Sequence, residues 1–412
     1  MNVTEQAKRA KSAALKLQGY STDDKNKMLL TIAESISSCR KYILEENEKD
    51  LAAYPDKTSA LFDRLTLNDK RIDAMVEGVK EVAALPDPVG EVTDEWVRPS
   101  GISIKKVRSP IGVIAIIYEA RPNVTVDAAA LCVKSGNAVI LRGSRQALNC
   151  NRAIYKVMYE SLKKAGFDAD VLQFIDDPSH DGAKELLSLD EYVDVVIPRG
   201  GEGLKHFVFE NSSIPVLASA GGNCHIFVAE SADFNMALNV IENAKCSKPS
   251  VCNAVEHILV DNKIAKSFIP KLYARMRACG VTVLGDEISR SVEKEILPAS
   301  DNDYDTEFLS LTLTVKAVDG VYEAIDEINT HGTRHSEAII TSDKSEADVF
   351  TTLVDAAATY VNASTRFTDG FEFGFGAEMG ISTGKLHARG PIGLEQLTSE
   401  RYVVTGDGAI RK

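Results

Sequence analysis

The chain has 412 residues, 44% hydrophobic and 26% charged, with 47 Lys and Arg against 60 Asp and Glu. The resulting net charge of −13 argues against a nucleic-acid or anionic-membrane binder, since both favour basic surfaces, and it means that an anionic substrate would need a local basic pocket. The seven cysteines show no CxxC metal spacing, which predicts reduced thiols; with no apolar signal core and no apolar run near the roughly 20 residues of a membrane span, a cytoplasmic protein is expected.

Residues 1 to 85 are helical by pattern. "NKMLLTIAESISSCRKYILEENEKDLAAY" carries apolar residues at three- and four-residue spacing, and "EVAALPDPVG" closes the region with two prolines and a glycine. "EWVRPSGISIKKVRSP" alternates as a strand or hairpin does, centred on 95–106. From Ile111 the texture changes. "IGVIAIIYEA" reads as a buried strand, "TVDAAALCVKSGN" as a helix and "AVILRG" as the next strand. "NRAIYKVMYESLKKAGF" is helical, and "VLQFI", "YVDVVIPRGG" and "IPVLASA" continue the strands. A second series starts with helical "ADFNMALNVIENAKCS" and strand "AVEHILVD", and runs to "ATYVNAS". Strands alternating with helices at this spacing predict right-handed βαβ units and parallel sheets. Two α/β domains plus a small β appendage follow, with a cleft between domains as the expected ligand site.

Several stretches place reactive groups at predicted strand ends. "RGGEGL" is a glycine-rich strand-to-helix turn, where Gly200 and Gly201 suit a diphosphate or simply a turn. "LRGSRQ" puts Arg142 and Arg145 at the carboxyl end of a strand, as phosphate ligands or as a solvated basic loop. In "YEARPNVTVDAAA", Asn123 either donates to a developing oxyanion or caps the next helix. Cys252, in "KPSVCNAVEHILV", is a candidate nucleophile with Lys245 and Lys248 close by in sequence. Cys224 and Cys246 are its rivals, and spacing does not choose among the three.

These stretches occur in the order seen in the aldehyde dehydrogenase superfamily. Over essentially the whole chain the sequence resembles the γ-glutamyl phosphate reductase (glutamate-5-semialdehyde dehydrogenase) family. "VYEAIDEINTHGTRHSEAI" matches that family's signature at His331, Gly332, Thr333, His335, Ser336 and Glu337, departing at Glu327, where a histidine is usual. "GFGAEMGISTGKLHARGPIGLEQLT" is equally diagnostic.

The resemblance implies an α/β, aldehyde-dehydrogenase-like fold. Residues 1–230 would hold N-terminal helices and a Rossmann-like NADPH-binding domain, 231–365 a catalytic domain carrying Cys252, and 366–412 a returning segment. The 95–106 hairpin and the strand around "RYVVTG" would form an oligomerisation element, and a homo-oligomer, dimer or tetramer, is implied. The family's nucleophile falls on Cys252 and its oxyanion-binding asparagine on Asn123, with the Cys252 N–H as second donor. Its nicotinamide-ribose glutamate falls on Glu307, and its diphosphate loop on Gly200 and Gly201. Arg145 stands where NAD-using members have a glutamate, and an arginine neutralises a 2′-phosphate, so NADPH is expected. Ser219 replaces the glutamate that activates water in oxidising members, which suits reduction.

The implied reaction takes L-glutamyl 5-phosphate to L-glutamate 5-semialdehyde through a cysteine thioester, in proline biosynthesis, with no metal. Arg121, Lys248, Arg366 and Arg389 are candidates for the basic substrate pocket. The labile acyl phosphate would come from a separate glutamate 5-kinase. An acyl-CoA-dependent relative and a non-catalytic dinucleotide binder are the rival readings.

Overall fold

A computed structural model describes residues 2–218 and 221–411. Their contacts divide the chain into two compact units, Met1–Ala218 with Gly374–Gly380 and Ile392–Lys412, and Ser219–Phe373 with Ile381–Pro391.

In the first unit, four parallel strands stand in the order Leu172–Phe174, Ala138–Arg142, Val113–Tyr118, Val195–Arg199. The strand Val113–Tyr118 is buried along its whole length, as its unbroken apolar run predicts for a sheet covered on both faces. The chain winds outward from that strand and then returns to its other side. The carboxyl ends of Val113–Tyr118 and Val195–Arg199 therefore flank a topological switch point, where ligands collect in open α/β sheets. "IPVLASA" was expected to add a strand. Among the described residues it contributes only a single parallel bridge, Val216 to Val196, because Pro215 has no N–H to extend a ladder.

The same unit carries a separate antiparallel sheet. Val92–Val97 pairs with Ser103–Pro110, which pairs in turn with Thr398–Thr405. The first and last strands are exposed along most of their length, with Trp96 edge-on to Tyr402.

The second unit is built on a seven-stranded parallel sheet with Cys224–Val228 and Val255–Asp261 near its centre, flanked by Thr312–Val318 and Ser336–Ile340. Helices Phe234–Cys246 and Asn262–Ala278 pack on one face through Ile241, Phe268 and Leu272. Helix Gly320–His331 covers the other through Ala324, Ile325 and Ile328. The segments just before these four strands, which hold Asn223, Cys252, Glu307 and His335, converge at the amino-terminal edge of the sheet. No helix is long and apolar enough to cross a membrane among the described residues.

Candidate active site

Cys252 lies, half-buried, in the turn between helix Phe234–Cys246 and strand Val255–Asp261. Its backbone is packed against the segment leading into Cys224–Val228. Cys224 Sγ donates to the Cys252 carbonyl at 3.2 Å. A Cβ on Gly222 would come within 1.4 Å of that same oxygen, so only glycine fits there. The next residue is anchored as well. Asn253 Nδ2 donates to the carbonyls of Arg366 and Thr368, its own carbonyl accepts from Thr365 Oγ1, and its Oδ1 accepts from the Arg366 guanidinium.

The two rival thiols are both raised by burial. Burial drives Cys224 well above the ordinary thiol range. Cys246 is pushed up to about 12 by burial and its contact with Cys279. Both stay protonated, and a thiol is a poor nucleophile.

The signature block earns its place here. Thr333 Oγ1 accepts from the N–H of Asn223, whose Nδ2 donates to the carbonyls of Tyr304 and His331, each at 2.9 Å. Asn223 Oδ1 meets His257 Nε2, while His257 Nδ1 meets Thr314 Oγ1 at 2.7 Å. Burial holds His257 well below its usual range, so its ring is neutral, with one nitrogen donating and the other accepting. Glu337 Oε2 accepts from the His225 N–H at 2.7 Å and lies 3.1 Å from its Nδ1. The block thus grips residues 223–225, which in turn support the Cys252 turn. No spacing signal in the sequence marks this network, since its partners lie 34 to 112 residues apart.

Glu307 Oε1 accepts from the N–H of Gly222 at 2.7 Å, so it sits on the same platform. Lys248 is exposed on the approach to the Cys252 turn. Lys245 does not face the thiol as a free cation. It is fully buried, 2.5 Å from Glu256, because it lies on the core face of its helix with Ile241 and Ala244. Burial presses both partners toward neutrality, Glu256 up to about 7 and Lys245 down, each against the other's attraction. Breaking a buried pair by removing one partner typically costs about 3–5 kcal/mol. Glu256→Ala should accordingly lower Tm by roughly 10 °C in a thermal melt, and an unchanged Tm would show that the site adapts.

Arg366 also contacts Ser247 Oγ, at 3.2 Å, so it buttresses the Cys252 turn from the side. Arg389 is 2.6 Å from Asp355, which Lys385 also contacts at 2.8 Å; the two cations hold the Asp355 carboxyl down at about 2. His331 Nδ1 is 2.8 Å from Asp305 at the helix end, and Glu327 pairs with Lys316. Ser219 lies outside the described residues.

In the first unit, a cavity of about 670 Å³ opens at the carboxyl ends of the strands, lined by Tyr118, Glu119, Arg142, Ser144, Arg145 and Leu204, among others. Arg142 Nη2 donates to the Ser179 carbonyl at 2.7 Å, while its Nε and the Oγ of Ser144 are buried without a hydrogen-bond partner. Burial also lowers the Arg142 pKa, against the charge of Asp177. Unsatisfied buried donors are costly, and these two fit the phosphate and ribose end of a dinucleotide. Gly201 is the N-cap of helix Glu202–Asn211, and its N–H donates to Glu119 Oε2 at 3.0 Å. A Cβ on Gly200 would collide with Glu119 and Leu204. Arg121 is the N-cap of helix Pro122–Lys134. Asn123, the next residue but one, is exposed.

Residues 1–293 match the aldehyde dehydrogenase family model. The chain is 51% identical over 412 residues to the γ-glutamyl phosphate reductase of Bacillus mycoides, covering 100% of this chain and 99% of the relative. It is 53% identical over 407 residues to that of Carboxydothermus hydrogenoformans, covering 98% of each. The crystal structure of the Thermotoga maritima γ-glutamyl phosphate reductase superposes with a TM-score of 0.97 at 48% identity, covering 99% of each chain.

Proposed function

Because the chain belongs to the γ-glutamyl phosphate reductases of the aldehyde dehydrogenase family, an oxidoreductase family, we propose that it reduces L-glutamyl 5-phosphate to L-glutamate 5-semialdehyde with NADPH, through a thioester on Cys252. The observation that carries the nucleophile assignment is the position of Cys252, half-buried in a turn pinned through its own carbonyl and through Asn253; Cys224 and Cys246 are raised by burial.

The Cys252 thiolate attacks the γ-acyl carbon and forms an S–C bond. The C–O bond to phosphate breaks, and phosphate leaves with the electron pair. The Cys252 N–H and the Asn123 amide donate to the tetrahedral oxyanion, each donor typically being worth about 3–4 kcal/mol in the transition state. The reduced nicotinamide, when bound, supplies the hydride that turns the thioester into the aldehyde. Cys252 is released as thiolate, ready for another turn. Lys248 and Arg121 are assigned to the anionic substrate. Arg366 supports the Cys252 turn, and Arg389 is the weaker substrate candidate because Asp355 already engages it.

The first unit is assigned to the dinucleotide. Arg142 and Ser144 would hold the adenosine end and Arg145 a 2′-phosphate, with the diphosphate near Gly200 and Gly201. Arg145→Ala should weaken NADPH binding by roughly 10–100-fold and change NADH binding little, as read by fluorescence titration. Equal losses for both cofactors would remove Arg145 from the 2′-phosphate. Glu307 is assigned to the nicotinamide ribose. The exposed three-stranded sheet, with Val97, Tyr402 and Val404 on its surface, is the proposed element of a homo-oligomer. Supply of the acyl phosphate by a separate glutamate 5-kinase, in the cytoplasm, completes the proposal.

The test runs the reaction in reverse, from semialdehyde and NADP. Turnover should require inorganic phosphate, and coenzyme A should not replace it. Turnover driven by coenzyme A would favour the acyl-CoA-dependent reading.

A further inference from the structure

Helix Pro122–Lys134 has Arg121 at its N-cap and Pro122 in the first turn. Asn123 follows Pro122, inside the helix, so its side chain does not cap. Its Nδ2 donates instead to Asp127 Oδ2 at 2.9 Å, across the i, i+4 spacing that puts two side chains on one helix face. This bond bears on a weakness of any exposed asparagine used as a donor. The terminal torsion of a carboxamide is broad and nearly two-fold, so a lone amide presents oxygen about as readily as nitrogen. Oxygen toward a developing oxyanion repels it; nitrogen stabilises it.

A carboxylate removes the ambiguity, because an ionised carboxylate only accepts. It holds the amide nitrogen on its own side and leaves the second N–H of the same nitrogen for a ligand. The environment of Asp127 suits the task. Burial raises its pKa to about 6, opposed by the Asn123 hydrogen bond and the charge of Arg199, so the group is mainly ionised at neutral pH. Charge-assisted hydrogen bonds of this type are roughly twice as strong as neutral ones, which is enough to bias a soft torsion.

Resting on the oxyanion role inferred for Asn123, we propose that Asp127 is a positioning residue that locks the Asn123 carboxamide with nitrogen, not oxygen, presented to the substrate. It touches no reacting atom and acts only through Asn123.

The test is a double-mutant cycle, with kcat, KM and NADPH affinity measured for each variant. Asn123→Ala should lower kcat by about 10²–10³-fold. Asp127→Ala should lower kcat by about 10–100-fold and leave KM for the acyl phosphate and NADPH affinity near wild type. Asp127→Asn, whose amide can accept through its oxygen but can also present nitrogen, should recover only part of that loss. In the Asn123→Ala background, Asp127→Ala should cost nothing more. Should Asp127→Ala fail to fold, the near-isosteric Asp127→Leu carries the same expectation. Additive losses in the double variant, or a wild-type kcat for Asp127→Leu, would overturn the positioning role while leaving the Asn123 assignment standing. A wild-type kcat for Asn123→Ala would instead overturn the oxyanion assignment, and the role of Asp127 with it.

Discussion

Cys252→Ala is expected to lower turnover by about 10⁴-fold or more, the scale on which removal of a covalent nucleophile falls, while NADPH still binds. The physical basis is the loss of the only atom proposed to form a bond with the acyl carbon. The side chain is half-buried and its loop is anchored through the Cys252 carbonyl and through Asn253, so Tm should fall by no more than roughly 2–4 °C. Paired kinetics, cofactor titration and calorimetry separate the two effects. A variant that loses cofactor binding and folding together would say that Cys252 is structural. A variant that keeps its turnover would move the nucleophile elsewhere.

Gly222→Ala should be nearly as damaging, although it removes no reactive group. Its Cβ would lie 1.4 Å from the Cys252 carbonyl oxygen and 2.8 Å from its Cα. These are backbone atoms, so no rotamer change relieves the overlap, and the Cys252 turn must move by an ångström or more. A misplacement of about 1 Å at a reacting centre can cost 10²-fold in rate, so kcat should fall at least that far. The N–H of Gly222 also donates to Glu307, so the shift should disturb that carboxylate too. Alkylation of Cys252 by iodoacetamide reports the move independently of turnover. Wild-type kcat and wild-type alkylation together would show that the two segments are not locked against each other.

The alternation of strands and helices made both parallel sheets legible before any coordinates, because buried strands and amphipathic helices follow different periods. The proline in "IPVLASA" is visible too, and it explains why the described residues of that run yield only a bridge at Val216. Lys245 is instructive in another way. Read by proximity in sequence it was a cation for the thiol, yet the apolar positions Ala237, Leu238, Ile241 and Ala244 already put it on the buried face of its helix. Its partner Glu256 lies in a strand buried at every position, where a carboxylate signals a paired charge. The Asn223–His257–Thr314 chain and the close approach of Gly222 to Cys252 had no such signal. They depend on how four strand starts meet at one sheet edge, which is set by register and packing. From its stretch alone, Asn123 reads equally as a helix cap or an oxyanion donor. Its place inside the helix, past the cap, comes from the backbone geometry of "ARPN" and not from its composition.

The central claim is a glutamyl thioester on Cys252, and one measurement reaches it directly. Purified protein is mixed with semialdehyde and NADP in the absence of phosphate, quenched and analysed by peptide mass spectrometry alongside the absorbance of NADPH. The expected result is a single burst of NADPH equal to the active sites, with the glutamyl mass on the peptide containing Cys252; adding phosphate should discharge that adduct and restart NADPH formation. Steady NADPH formation without phosphate, or the adduct on any other residue, would contradict it.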